Sequence, residues 1–186
     1  MIGADRVVTN RIDRNRPNPH LERIDVNLRQ ARVTRTRVAD AAAEFPRVSS
    51  NLWNRTAQFV YTIGDGPGHV GGGVLEAGNA IIKYDAVTGR SELARMGRGR
   101  ATSEAAFVAD PDRRAEEDGG WLLAYVYDES KRSSDLVIVD AQDMTGGAVA
   151  SVDLGARVPF GFHGNWFGDA PTPDSSARQR FQHRAV

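Results

Sequence analysis

Between residues 21 and 154 the chain is a succession of short runs rich in Val, Ile, Leu and aromatic residues, each cut off by a cluster of Gly, Asp, Asn or Ser. That alternation predicts consecutive antiparallel strands. The runs cover 21–28, 32–38, 44–48, 58–63, 80–85, 90–95, 106–109, 121–127, 135–140 and 148–154. No window of twelve residues holds clean 3.6-residue spacing with caps, and the weak stretch Arg37–Ala43 is cut off by Pro46. The predicted class is all-β.

In Ile81–Asp85, followed by Ala86-Val87-Thr88-Gly89 and then Arg90–Leu93, the glycine falls where a hairpin loop needs a residue with positive φ. Trp121–Tyr127 and Leu136–Val139 are nearly continuous in apolar residues, which predicts burial on both faces and a place at the centre of sheets. The glycine-rich stretch 64–73 reads as a flexible loop. It is no dinucleotide fingerprint, because no helix follows to supply an N-terminal dipole. Both ends of the chain are polar. Residues 1–20, with Arg-Pro-Asn-Pro near their end, read as a poorly ordered leader, and residues 168–186 as a disordered tail. Residues 21–167 then form one body of ordinary domain size.

Charge narrows the partners. The 24 basic residues balance the 24 acidic ones, which argues against general binding of nucleic acid. Ten arginines against six acids in residues 1–50 leave a local surplus of four, read as a solvated face. The chain has no cysteine, which excludes disulfides, thiolate nucleophiles and Cys-zinc sites. No apolar run approaches the roughly 20 residues of a membrane span, and no signal-peptide core is present. A soluble, cytoplasmic protein is expected.

Four histidines are available. His20, His69 and His183 lie in or beside the leader, the glycine loop and the tail, and read as surface residues. His163 is different, because it stands in Val158-Pro159-Phe160-Gly161-Phe162-His163-Gly164-Asn165-Trp166 among aromatic and small residues. That setting predicts a buried ring, either a satisfied core histidine or a metal ligand, and desolvation favours the neutral form that ligation needs. Glu44, before Phe45-Pro46, and Glu104, before Ala105-Ala106-Phe107-Val108, each meet an apolar strand start where a lone carboxylate is costly. Each is either a loop residue just outside the core or the acceptor for a histidine ring N–H, a contact that fixes the tautomer and raises ligand basicity. Glu116-Glu117-Asp118 reads as a solvated turn. No nucleophile-elbow or Ser-His-Asp pattern occurs.

Four stretches taken together resemble the C-terminal part of the carotenoid cleavage oxygenases, which include stilbene-cleaving enzymes and the retinoid isomerase of the visual cycle. They are Glu44–Val48, Ser103–Val108, Glu117–Ala141 and Val158–Gly164, and their order and spacing agree with the family from about Leu21 to Trp166. The resemblance implies a seven-bladed β-propeller, of which this chain would be about the last three blades. It also implies Fe2+ on the propeller axis, held by four histidines of which three are oriented by glutamates. By position His163 looks like the last metal ligand, and Glu44 and Glu104 like two of the orienting carboxylates.

Family members insert both atoms of O2 across a conjugated C=C bond of a carotenoid, apocarotenoid or stilbene-like substrate. Complete members are more than twice as long, and the segment supplying the other three histidines is absent from this chain. Neither His20 nor His69 matches a ligand position, and the leader has no evident counterpart. The chain alone is therefore expected to be inactive and to require a separately made N-terminal part. The alternative from another class is a non-catalytic β-sheet remnant or binding module.

Overall fold

A strand whose side chains are apolar at every position needs cover on both faces, and the order of the sheets supplies it. The computed structural model describes residues 6–13, 16–52, 55–64 and 78–168, with side chains from Pro19 onward. Among the described residues, twelve strands form three antiparallel sheets. The first sheet is β1 (Arg6–Asp13), β2 (Arg16–Asn27) and β3 (Arg32–Ala42) in sequence order. The second is β4 (Glu44–Arg47), β5 (Phe59–Gly64), β6 (Ala80–Asp85) and β7 (Ser91–Arg95), again in order. In the third, β12 (Ala148–Asp153), β11 (Ser133–Asp140) and β10 (Gly120–Asp128) are neighbours. Both β8 (Arg100–Thr102) and β9 (Ala106–Ala109) pair with the remaining edge of β10.

The second sheet lies between two apolar clusters. Tyr61 and Ile81 face Leu122, Val126, Val137 and Val139 of the third sheet. Their chain neighbours Val60 and Ile82 face the other way, toward Leu21 and Ala43. This period-two division explains why β6 is buried over Ala80–Tyr84. Burying one such Val or Ile side chain stabilises by about 1.5–3 kcal/mol. The expectation of two-faced burial for Trp121–Tyr127 fails, because β10 alternates and Tyr125 is 47% exposed. The outer face of the third sheet carries no further sheet among the described residues, so Trp121, Leu123, Tyr125 and Tyr127 stay partly open.

The β6–β7 hairpin forms as predicted, with Gly89 at φ +72°. Asp85 closes its turn by accepting the Val87 and Thr88 N–H groups, at 2.8 and 3.0 Å. Arg37–Ala43 is strand, not helix, through Ala42.

Two further expectations change. Residues 6–13 and 16–20, read as leader, are strand, because β1 pairs along β2 from Arg6↔Asp25 to Asp13↔Arg16. Nor is the acidic turn 116–118 merely solvated. Glu117 accepts the N–H groups of Gln58 and Phe59 at 2.7 Å, and Asp118 meets the Lys83 ammonium at 2.6 Å. Lys83 also donates to the Ala141 carbonyl at 2.8 Å and lies over the Phe59 ring. Together these contacts join the second sheet to the third.

Candidate metal-ligand site

Two irregular strands build the site. Along β10, Val126 pairs with Thr102 and Leu123 with Ala106. Three residues, Ser103 to Ala105, therefore oppose two, Ala124 and Tyr125: a β-bulge. Ser103 secures it, since its hydroxyl accepts the Tyr125 N–H at 3.0 Å and donates to the Glu104 carbonyl at 3.1 Å. Ala105 turns into the core. Glu104, between them, aims its carboxylate at the segment that follows β12.

The second bulge is on β4. Glu44 pairs with Ile63 and Arg47 with Tyr61, so Phe45 and Pro46 oppose Thr62 alone. Phe45 takes φ +52°, unusual for a residue with a side chain. Its ring meets the His163 imidazole edge to face, with centroids 5.8 Å apart.

The Glu104 side chain, 4% exposed, gathers three partners. It accepts the Gly164 N–H at 2.7 Å, lies 3.3 Å from His163 Nδ1, and pairs with Arg47 at 3.5 Å. A carboxylate only accepts, so in the neutral imidazole Nδ1 carries the proton and Nε2 keeps a lone pair for a ligand. Of the two readings left open for Glu104, the contact with a histidine ring is the one present. The expected burial of His163 is not: its side chain is 70% exposed, with Phe45 at its edge and Glu104 at Nδ1.

Glu44 is half-buried at the start of β4, and no hydrogen bond or ion pair joins it to a histidine among the described residues. His20, expected at the surface, is 5% exposed within β2, with Nε2 3.2 Å from Glu22. It stands opposite Ala42 in the β2–β3 ladder. His69 and His183 lie outside the described residues. No cluster of three His, Cys, Asp or Glu side chains forms among the described residues.

Beside His163 runs an apolar groove of about 290 Å3, lined by Leu123, Tyr125 and Tyr127 of β10, Leu136 of β11, and Phe160 and Phe162. The phenylalanine segment is tied down at its start, where the Val158 N–H reaches the Ser134 hydroxyl at 3.1 Å and Phe160 meets Tyr127 edge to face.

A family model described as retinal pigment epithelial membrane protein (RPE65) matches residues 3–168. The chain belongs to that family. The match includes the stretch before residue 20, for which the sequence suggested no counterpart. Among curated relatives, the carotenoid cleavage oxygenase of Mycobacterium tuberculosis is 37% identical over 154 residues, covering 83% of this chain and 30% of the relative. The apocarotenoid-15,15'-oxygenase of Synechocystis is 33% identical over 146 residues, covering 78% and 29%. The chain therefore spans about 30% of the length of these relatives.

Solved structures agree with the sequence comparison. An ACO/RPE65 chimera superposes with a TM-score of 0.75 at 30% identity, over 86% of this chain and 32% of the other. The cobalt-substituted Synechocystis ACO gives the same values. The all-β architecture of the chain thus matches that of the β-propeller enzymes of this family.

Arg47 was missed by sequence reasoning. Its nearest signal is its place directly after Phe45-Pro46, and nothing local shows a partner more than a hundred residues away.

Proposed function

We propose that the chain is the C-terminal part of a non-haem iron(II) dioxygenase that cleaves a conjugated C=C bond of a carotenoid, apocarotenoid or stilbene-like substrate. Its three sheets would be about the last three of seven blades, and the remaining blades would come from a separate N-terminal part. The observation that carries this reading is the bond between His163 Nδ1 and the buried Glu104 carboxylate, beside an apolar groove.

The residues present fit one corner of a metal centre. An imidazole oriented by a buried carboxylate is a neutral nitrogen donor suited to iron. One such donor holds no iron(II) against water, so the other ligands must come from outside the described residues. Glu44 stands directly before the bulge on β4 and would orient an imidazole supplied by the N-terminal part.

Bound iron(II) supplies the activation of dioxygen through which both oxygen atoms enter the cleaved double bond, leaving two carbonyl products. This chain's own residues position and exclude. Glu104 holds the His163 proton on Nδ1 and so keeps Nε2 available. Leu123, Tyr125, Phe160 and Phe162 offer an apolar wall against which a polyene lies with water displaced.

The test combines this chain with a polypeptide matching the remaining length of a full-length relative, and measures bound iron and carotenoid cleavage. The expected result is no stoichiometric iron on the chain alone. In the reconstituted pair, one iron and cleavage activity appear, both lost with His163→Ala. One iron per isolated chain, or iron binding indifferent to His163→Ala, overturns the proposal; the second outcome is what a non-catalytic remnant predicts.

A further inference from the structure

Arg47 reaches the site from the second sheet. Its Nη1 lies 3.5 Å from Glu104 Oε1, while Nη2 donates to the Gly164 carbonyl at 3.1 Å and also to Asn165 Oδ1. Glu104 in turn takes the Gly164 N–H. Gly164 is thus gripped on both sides, its N–H by the carboxylate and its C=O by the guanidinium, and those two groups close the circuit by pairing with each other. The segment 154–168 belongs to no strand. Beyond the Val158 and Phe160 ties at its start, its hold on His163 therefore depends on this clamp, on the Glu104 contact with the ring and on the edge of Phe45.

We infer that Arg47 is a positioning residue for His163. It touches neither a metal nor substrate. It fixes the backbone of residues 164–165 so that the neighbouring imidazole stays on Glu104 as the Nδ1–H tautomer, with Nε2 presented as a lone pair. The clamp is a feature of this chain; only the identity of what Nε2 meets rests on the proposed oxygenase reading. A lysine is a poor substitute, because one ammonium lacks the planar fork that serves a carboxylate and two further oxygens at once.

The experiment is long-range 1H–15N correlation of the full chain labelled at histidine, recorded at pH 9, where imidazoles are neutral. His163→Ala assigns the signals. Wild type, Arg47→Lys and Arg47→Met are compared, with thermal unfolding measured alongside. Arg113→Met, which removes a distant pairing with Asp110 and Asp140, serves as a destabilised control.

Wild-type His163 is expected mainly as Nδ1–H. In Arg47→Met the ratio of Nδ1–H to Nε2–H falls by roughly tenfold, the scale of one lost charge-assisted hydrogen bond. Arg47→Lys falls between, and Arg113→Met lowers the melting temperature without moving the ratio. An unchanged ratio in Arg47→Met, despite lower stability, overturns the inference and leaves Arg47 a structural contact only. A wild-type ring already dominated by Nε2–H overturns it as well. If Arg47→Met does not fold, Arg47→Lys decides: a threefold fall supports the clamp and no change refutes it. Failure of the oxygenase reading is seen separately, in the iron content of the reconstituted pair.

Discussion

Replacing Glu104 by alanine tests the site at its centre. The carboxylate is 4% exposed and serves three donors, so its removal leaves the Gly164 N–H without its acceptor and the Arg47 guanidinium without its charged partner. The contact with Gly164, charge-assisted and 2.7 Å long, contributes about 2 kcal/mol. The Arg47 pair, with the guanidinium 23% exposed, contributes about 1 kcal/mol. The His163 contact, to a ring that is 70% exposed and so partly screened by solvent, adds no more than about 1 kcal/mol. Glu104→Ala should therefore cost about 3 kcal/mol, or roughly 10 °C in melting temperature for a chain of this size. Glu104→Gln keeps the volume and one acceptor oxygen but faces Arg47 with no charge, and should cost about half as much. Urea unfolding followed by tryptophan fluorescence measures both. A loss below about 0.5 kcal/mol for the alanine variant would refute the idea that this carboxylate organises the segment after β12.

Three other perturbations follow from the fold. Asp118→Ala strands the Lys83 ammonium, 8% exposed, between sheets and should cost about 3 kcal/mol, whereas Lys83→Met, which leaves an apolar chain on Phe59, should cost about 1 kcal/mol; equal losses in urea unfolding would contradict the asymmetry. The carboxyls of Asp85 and Asp128 are held down to about 2, the first mainly by the Thr88 N–H and the second mainly by the Ser130 hydroxyl. Because the folded values lie below the ordinary 3.8, their stabilisation is complete above that pH and disappears as pH falls toward 2. Urea midpoints should decline over that window, and less steeply in Asp85→Asn. Gly64→Ala places a methyl 2.2 Å from the Ala42 carbonyl oxygen and should cost about 2 kcal/mol or more in the same assay.

What the sequence revealed and what it concealed divide along a physical line. Strands such as β6 and β9 were legible to the residue, because their apolar content is dictated by the clusters they enter. β8 was not, since Arg100-Ala101-Thr102 shows no alternation and owes its strand to backbone pairing with β10. β1 escaped for the same reason, its polar residues bonded along β2. Glu104 and His163 could each be singled out, as an acid among Ala, Phe and Val and an imidazole among aromatics. Their exposure and the Arg47 clamp on Glu104 and Gly164 could not, because burial and long-range contacts follow from how the sheets meet.

The bulges are the deeper instance. One extra residue in a strand changes no composition and appears only in the pairing register, yet it turns Glu104 out of the core while Ala105 stays in it. A second bulge directly follows Glu44, where Phe45 at positive φ precedes a proline that has no N–H for the ladder. Two glutamates at two bulges in successive sheets are hard to attribute to packing, which either sheet could satisfy with an apolar residue. They are what is needed if each of these two sheets must present a carboxylate toward one end of the fold, and on the proposed oxygenase reading Glu44 is the residue at which to look for an imidazole supplied by another polypeptide.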